Sequence, residues 1–522
     1  MTQNNNSKTA DFNGRLAVVL AMAMFVLVVD TSLMNVSISA VIKDIGATAS
    51  GVQATIALEA LVSAAFILIG SKIGDLMGRK KAYILGLLGY LLGALAMTVA
   101  QSLVPIIIFW ALVGGIGAAL LLPAMQSLVH GNFEGDHQKR AYAIVGASAA
   151  IATAVGPLLG GFITTFLSWR VGFLLEVLII IFVLLNVKLI QDTPYTGPRK
   201  ADVPGALLSV VAMGGVVLSI LVWQEGGDRV LGLLLLGLLA GAVLAYWLVR
   251  QKRRGRPALV DPDLFKPKVF RLGISQQMLQ QVSLGGLMIV LPMYLQMVQE
   301  YNAFQAGLSL MPLSLSMFAV ALLIGRIGGR RRPPVVVCTG YALLSVAVAA
   351  IIIAVPRVAS GWGLAIPLLL GGSGLGLLVS QLNNYTLAPI SEERVSEAAG
   401  INSAAGSFGL SFGLAFAGAI MLASLSSSFT SAANASSVLQ PSQKQAVSSV
   451  LQHDAQIMSN TQLSVRLHGQ SPAVQEEILR INNESRYHAL RVALLVPLVA
   501  GLLGLGNSLR MLRQPENVRQ KS

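Results

Sequence analysis

Runs of about twenty apolar residues, broken by short polar clusters, repeat along the whole chain. A helix rises about 1.5 Å per residue, so a run of roughly twenty crosses a hydrocarbon core about 30 Å thick. The pattern predicts fourteen membrane-spanning helices, at 16–38, 52–71, 82–100, 104–127, 141–165, 169–190, 205–223, 230–249, 273–298, 305–325, 334–355, 362–386, 398–424 and 489–510. The apolar runs are too long and too continuous for the short, alternating strands of an outer-membrane barrel. An all-α polytopic membrane protein is expected.

Composition agrees with that pattern. The chain is 54% hydrophobic and 11% charged, where a soluble domain carries about 25% charged residues. A net charge of +14 would point to nucleic acid in a soluble protein. Here the basic residues lie between the spans, so no nucleic-acid partner is expected. Of the 37 Lys and Arg residues, 28 fall on one side of the alternating topology. The positive-inside rule makes that side, with both chain ends, cytoplasmic in an inner membrane. An odd number of spans would scramble the bias. The lone cysteine, Cys338, forms no internal disulfide, so folding needs no oxidising compartment. The polar stretch MTQNNNSKTADFNGR leads into an apolar run without a cleavage site, and that run reads as the first span.

One connection is long. Segment 425–488, on the outer side, opens with SLSSSFTSAANASS, which reads as flexible. Its later part has helical spacing at Val474, Ile478 and Ile481, so the last helix is expected to start before the membrane. The segment is a candidate partner-binding or gating element, although tolerated surface is the commoner role.

Several short sequences have mechanical content. The loop after span two reads GSKIGDLMGRKK: Gly74 and Gly78 permit a tight reversal, Asp75 suits a neighbouring helix N-terminus or basic group, and Arg79 and Lys80 hold the inner surface. Span five contains GASAAIATAVGPLLGGFI, where Gly146, Gly156, Gly160 and Gly161 form a small-residue face and Pro157 removes a backbone donor. The first stretch resembles the inner-loop signature of the major facilitator superfamily at Asp75, Gly78, Arg79 and Lys80, with Ile73 for Leu and Ser71 for the first Gly. A degenerate echo, GRIGGRRR, keeps Gly325 and Ile327 and has Gly329 at the acidic position. The span-five stretch resembles that superfamily's antiporter signature at Gly156, Pro157, Gly160 and Gly161. VVDTSLMNVSISAVIKDI resembles the first span of the fourteen-span drug:proton antiporters at Asp30, Asn35 and Val36, with Ala40 replacing the closing Pro. LPMYLQMVQEYNAFQAGLSLMP resembles their ninth-to-tenth-span consensus at Pro292, Tyr294, Gln296, Ala306, Gly307 and Pro312. One departure stands out: Ala111 and Gly114 occupy the places of the span-four Arg, implicated in proton handling, and Gln, while Gly115 and Gly117 match.

The resemblance implies a major facilitator fold: two six-helix bundles, at 16–190 and 273–510, plus two additional helices within 205–249. A basic cytoplasmic linker, 250–272, would introduce the second bundle, and 1–15 and 511–522 would be cytoplasmic tails. It also implies an inner-loop latch between the halves, alternating access about a midplane cavity, and no enzymatic activity. No nucleotide-binding signature is present, so no cofactor is expected and the proton gradient supplies the work.

The chemistry is expected to lie in three acidic residues inside the spans, Asp30, Glu59 and Glu176, which share a depth in the outer half of the membrane. A carboxyl at that depth needs a polar or wet interior, and removal from water penalises its charged form. An acid-lined central cavity in the first half, taking either a proton or a lipophilic cation, would give antiport by competition. In the second half Gln276, Gln277, Gln280 and Gln281 form two i,i+4 pairs, of which at least one should face a groove. Gln381, Asn383 and Asn384 mark the inner end of span twelve. With Asn35 these are candidate cavity polars, although interhelical hydrogen bonds explain them equally well. Trp110, Tyr294, Met288 and Met293 are candidates for an adaptable apolar pocket. The expected function is proton-coupled export of amphipathic, cationic compounds by a monomer among membrane lipids. The alternatives are export of one physiological compound (a lipid, peptide or amino acid) and a non-transporting receptor.

Overall fold

The computed structural model describes residues 12–192, 202–224, 227–327, 332–357, 360–391, 394–440, 444 and 460–514. Fourteen helices in it are long and apolar enough to cross a membrane. In the first half these are α1 (Gly14–Ile45), α2 (Ala49–Met77), α3 (Arg79–Val99), α4 (Leu103–Asn132), α5 (Arg140–Phe166) and α6 (Trp169–Leu189). Next come α7 (Val203–Trp223) and α8 (Val230–Arg253). The second half contains α9 (Lys268–Val298), α10 (Ala303–Ile324), α11 (Pro333–Ala354), α12 (Gly361–Leu387), α13 (Glu397–Ala435) and α14 (Pro472–Leu512). Local sequence starts several of them. Asn13 accepts from the Leu16 amide at 3.1 Å to cap α1, and Thr48 accepts from Gly51 at 3.1 Å to cap α2. Gly46, at φ 63°, ends α1.

The packing repeats with an offset of eight helices. In the first half α1 packs on α5 and α6, α2 on α4, and α3 on α4 and α6. In the second half α9 packs on α13 and α14, α10 on α12, and α11 on α12 and α14. The same rule joins the halves, because α2 packs on α13 and α10 packs on α5. Two bundles related by pseudo-symmetry result. The α7–α8 hairpin sits outside this repeat, with α7 against α2 and α13.

The segment after α8 is anchored. Buried Asp202 accepts from the Gly205 amide, the Trp247 indole and the Leu259 amide at 3.0, 2.9 and 2.9 Å. Asp261 pairs with Lys252 at 2.8 Å and with Arg394 at 2.9 Å.

The outer segment departs from its composition. Residues 425–435, expected to be flexible, continue α13 to Ala435. The reason is a buried face at Leu425, Phe429 and Ala433, spaced four apart and hidden among serines, which the outer part of α14 covers. That part begins at Pro472 and buries Val474, Ile478 and Ile481, and Arg486 donates from it to the Met297 carbonyl at 2.8 Å. Of the remaining connection, 441–443 and 445–459 lie outside the described residues, as do 1–11, 515–522 and the 328–331 stretch of the second inner signature.

Candidate functional site

The three acidic residues converge inside the first bundle. Asp30 of α1 is 1% exposed. Tyr90 of α3 donates its hydroxyl to Asp30 Oδ2 at 2.5 Å, and Trp110 of α4 donates its indole N–H to both oxygens at 3.1 Å. Trp110 lies in a π-helical stretch, Ile106–Gly114, of the kind often found at functional sites. Glu176 of α6, 2% exposed, places its carboxyl within hydrogen-bonding reach of Asp30. No donor group reaches either Glu176 oxygen, so a hydrogen bond between the two carboxyls requires a proton on one of them. Glu59 of α2, 8% exposed, is near enough to feel the charge of Asp30. Among the described residues no Lys or Arg forms an ion pair with any of the three.

In this structure the acidic residues are buried rather than lining open space. Asp30 is closed off among α1, α3, α4 and α6, and Tyr90 and Trp110 supply it with the polar contacts that water would otherwise provide. Trp110 is a hydrogen-bond donor to the site, and its ring packs edge-on against Phe173. Neither it nor Tyr90 was legible as a partner of Asp30; the available signal was a pair of amphipathic aromatics at mid-span.

The antiporter signature seats α5 between α1 and α10. Gly156 lies against Ser32 and Gly160 against Leu33, both on α1. On the opposite side a Cβ at Gly161 would fall 2.4 Å from the Ala303 carbonyl, and one at Gly307 would fall 2.2 Å from that of Pro157. Only glycine lets the α5 and α10 backbones approach so closely. Phe162, Phe166 and Phe304 cluster beside this seam with centroids 5.0–6.0 Å apart. Thr165 accepts from the Phe304 amide at 2.9 Å, and Gln296 donates to the Val36 carbonyl at 3.0 Å. The two halves are joined on the outer side.

Several inner-loop residues bond to others of the first half. Lys80 donates through Nζ to the Ile190 carbonyl at 2.7 Å and through its amide to Asp192 at 3.1 Å, and Arg79 pairs with Asp75 at 3.5 Å. Gly78 has φ 102°, and a Cβ there would lie 2.8 Å from the Asp192 carboxylate.

The candidate polar residues of the second half divide. Gln276 faces its own bundle, donating to the Gly504 carbonyl at 3.0 Å, while Tyr341 donates to its backbone oxygen at 2.6 Å. Gln280 is buried and its carbonyl oxygen has no partner. The expected groove is therefore not on that pair. Gln277 and Gln281 lie against Gly406 of α13, and the Gln281 carbonyl oxygen is also buried without a partner. Gln381 is buried and Asn384 exposed, while Asn383 accepts from Asn402 at 3.1 Å. Asn35 is buried and donates to the Thr31 carbonyl at 2.8 Å. Met293 accepts from Gln53, and Tyr294 donates to the Val355 carbonyl at 3.3 Å, so both are structural contacts here. Among the described residues no group of three or more His, Cys, Asp or Glu is arranged to hold a metal.

Comparison with known proteins extends this picture. Residues 20–414 match the sequence profile of the Major Facilitator Superfamily. The chain is 27% identical over 413 residues to the multidrug resistance protein Stp of Mycobacterium tuberculosis, covering 78% of this chain and 76% of that one. It is 29% identical to the puromycin resistance protein pur8 of Streptomyces alboniger, over 60% of this chain and 63% of the other. It is 24% identical to a probable actinorhodin transporter of Streptomyces coelicolor, over 73% and 67%. Among solved structures, a bacterial homologue of the human lysosomal transporter Spinster, inward-facing and occupied, matches 98% of this chain and 99% of its own with a TM-score of 0.60. At 13% identity that is a likeness of fold. Its profile match, fourteen spans and relatives together place the chain in the Major Facilitator Superfamily, as a multi-pass inner-membrane transporter that moves small molecules by secondary active transport.

Proposed function

We propose that the chain exports amphipathic, cationic compounds in exchange for protons. The observation that supports this reading is the carboxyl cluster of Asp30, Glu59 and Glu176, buried without a Lys or Arg partner among the described residues. Three adjacent negative charges in a low-dielectric interior are untenable, so the cluster must take up protons or a cation. Asp30 is the coupling residue in this reading, because it contacts or senses both other acids. Protonation discharges the cluster and releases the cation to the outer side; loss of the proton to the cytoplasm restores the charge that attracts the next. Proton and substrate then compete for one set of groups.

The names of the relatives, multidrug and puromycin resistance proteins, favour export of toxic compounds. A second reading, export of one specific compound, is favoured by the probable actinorhodin transporter among them. Reconstitution into vesicles with an imposed pH gradient, across monovalent, divalent and neutral substrates, tests both. Gradient-driven uptake of several unrelated cations supports the first reading, and uptake of a single compound supports the second. Flux indifferent to the gradient refutes proton coupling.

A further inference from the structure

The superfamily resemblance leads one to expect an arginine in span four, but Ala111 holds that place and is fully buried. The residue before it, Trp110, turns its indole N–H onto Asp30, equidistant from both carboxylate oxygens at 3.1 Å. Tyr90 adds a second donor from α3. Glu176, one contact further, receives no donor at all. We propose that Trp110 and Tyr90 are positioning residues that substitute for the missing cation: two neutral donors hold Asp30 as the anion, while Glu176 keeps the proton that bonds the two carboxyls together.

The asymmetry of donors decides which carboxyl is which. A carboxylate accepts hydrogen bonds and a protonated carboxyl donates one. Asp30, with two donors aimed at it, is suited to the anion; Glu176, with none, is suited to the acid. Four side chains surround Asp30. Tyr90 faces it from α3, Trp110 from α4 and Glu176 from α6, and Glu59 on α2 is the remaining charged neighbour. Helix α5 meets α1 there through Gly156 and Gly160, and α9 and α10 bring no charged side chain to that depth.

The proton balance follows. With Glu176 protonated and Asp30 ionised, the pair has one negative charge. Uptake of one proton by Asp30 makes the pair neutral, and its release restores the single charge. An arginine would cancel that charge permanently. Two neutral donors orient it and leave it available to a cationic substrate, so the Ala111 departure retains coupling while changing its chemistry.

This inference rests on the coupling role proposed for Asp30, and the test separates the two. Trp110→Phe and Tyr90→Phe each remove one donor and keep the ring. Purified, reconstituted full-length protein is assayed for gradient-driven uptake of a lipophilic cation, ethidium, as a function of pH. Each variant is expected to hold the Asp30 proton about tenfold more tightly, moving the half-maximal pH about one unit toward alkaline. Intrinsic tryptophan emission of the wild type should also titrate over the same range, and that signal should vanish in both Trp110→Phe and Asp30→Asn. A folded Trp110→Phe with an unmoved pH profile overturns the inference while the proposed function stands. If Trp110→Phe does not fold, an unmoved profile in Tyr90→Phe overturns it instead. Undiminished uphill uptake by Asp30→Asn defeats the coupling role proposed for Asp30, and the inference with it.

Discussion

Replacing Asp30 with asparagine preserves the shape of the side chain and removes its ability to exchange a proton. The amide oxygen still accepts from Trp110, so the fold should lose only the difference between charged and neutral hydrogen bonds, about 1–2 kcal/mol. The effect on transport should be far larger. Each pH unit across the membrane contributes about 1.4 kcal/mol per proton, a factor of ten in accumulation. With a gradient of two units, one coupled proton supports roughly 100-fold accumulation and two support roughly 10,000-fold. Asp30 is the residue through which Tyr90, Trp110 and Glu176 are tied together, so Glu59 alone is left outside the damaged contact. Asp30→Asn is therefore expected to reduce the accumulation ratio to near unity. Counterflow, which requires binding and the exchange of conformations but no proton, should persist only at raised substrate concentration, because the anion that attracts the cation is lost. The assay is uptake of labelled ethidium into vesicles, with and without the gradient, alongside exchange at equal pH. A variant that accumulates substrate as strongly as the wild type would falsify the assignment of Asp30.

Three further outcomes are expected. Gly161→Val drives a side chain into the Ala303 carbonyl and should prevent closure of the outer seam; with Cys338→Ser and a reporter Thr165→Cys, labelling by an impermeant maleimide should rise at least about tenfold, ~1.4 kcal/mol of population shift. Gly78→Ala forces a side chain to adopt φ 102° beside Asp192 and should cost ~1–3 kcal/mol, read as a lower melting temperature and faster proteolysis of the inner loop. The Asp261 carboxyl, although burial works against it, is held below the usual carboxylate range by Lys252, the Asp263 amide and Arg394. A lowered folded-state value means that its stabilisation is present at neutral pH and is lost as pH falls through that value. Asp261→Asn should thus melt lower than the wild type at about pH 6, with the gap narrowing toward about pH 3. A constant gap would mean the ion pairs contribute nothing.

The span count and the pairing of acids were legible for different reasons. Fourteen apolar runs and the bias of Lys and Arg depend on each segment's own composition, which a single sequence displays in full. The common depth of Asp30, Glu59 and Glu176 follows from counting along helices of known rise. Which way each helix turns does not, and the closed setting of Asp30 depended on that rotation. The glutamines show the same limit: i,i+4 spacing fixes a shared face for Gln276 and Gln280, while Tyr341 and Gly504, far away in sequence, determine where that face points. At 425–435 the failure was one of averaging. Serine is the commonest residue there, but Phe429 and Ala433 mark the stripe that α14 covers.

The antiporter signature gives these separate features a common mechanical setting. Asp30 and Ser32 belong to one turn of α1, and Gly156 rests on Ser32. Five residues further along α5, Gly161 meets α10 at the outer seam. If Asp30 exchanges protons as proposed, the charge change occurs on the helix, α1, that packs against α5, which in turn packs directly against the element closing the outer side. Rigid helices with glycine contacts have few intermediate positions, since displacement by a fraction of an ångström either restores or breaks the backbone approach. In the proposed mechanism, proton uptake at Asp30 and opening at Ala303 need no long relay. They share α5 as a common wall, and the signature's small residues are what make that wall thin enough to transmit the shift.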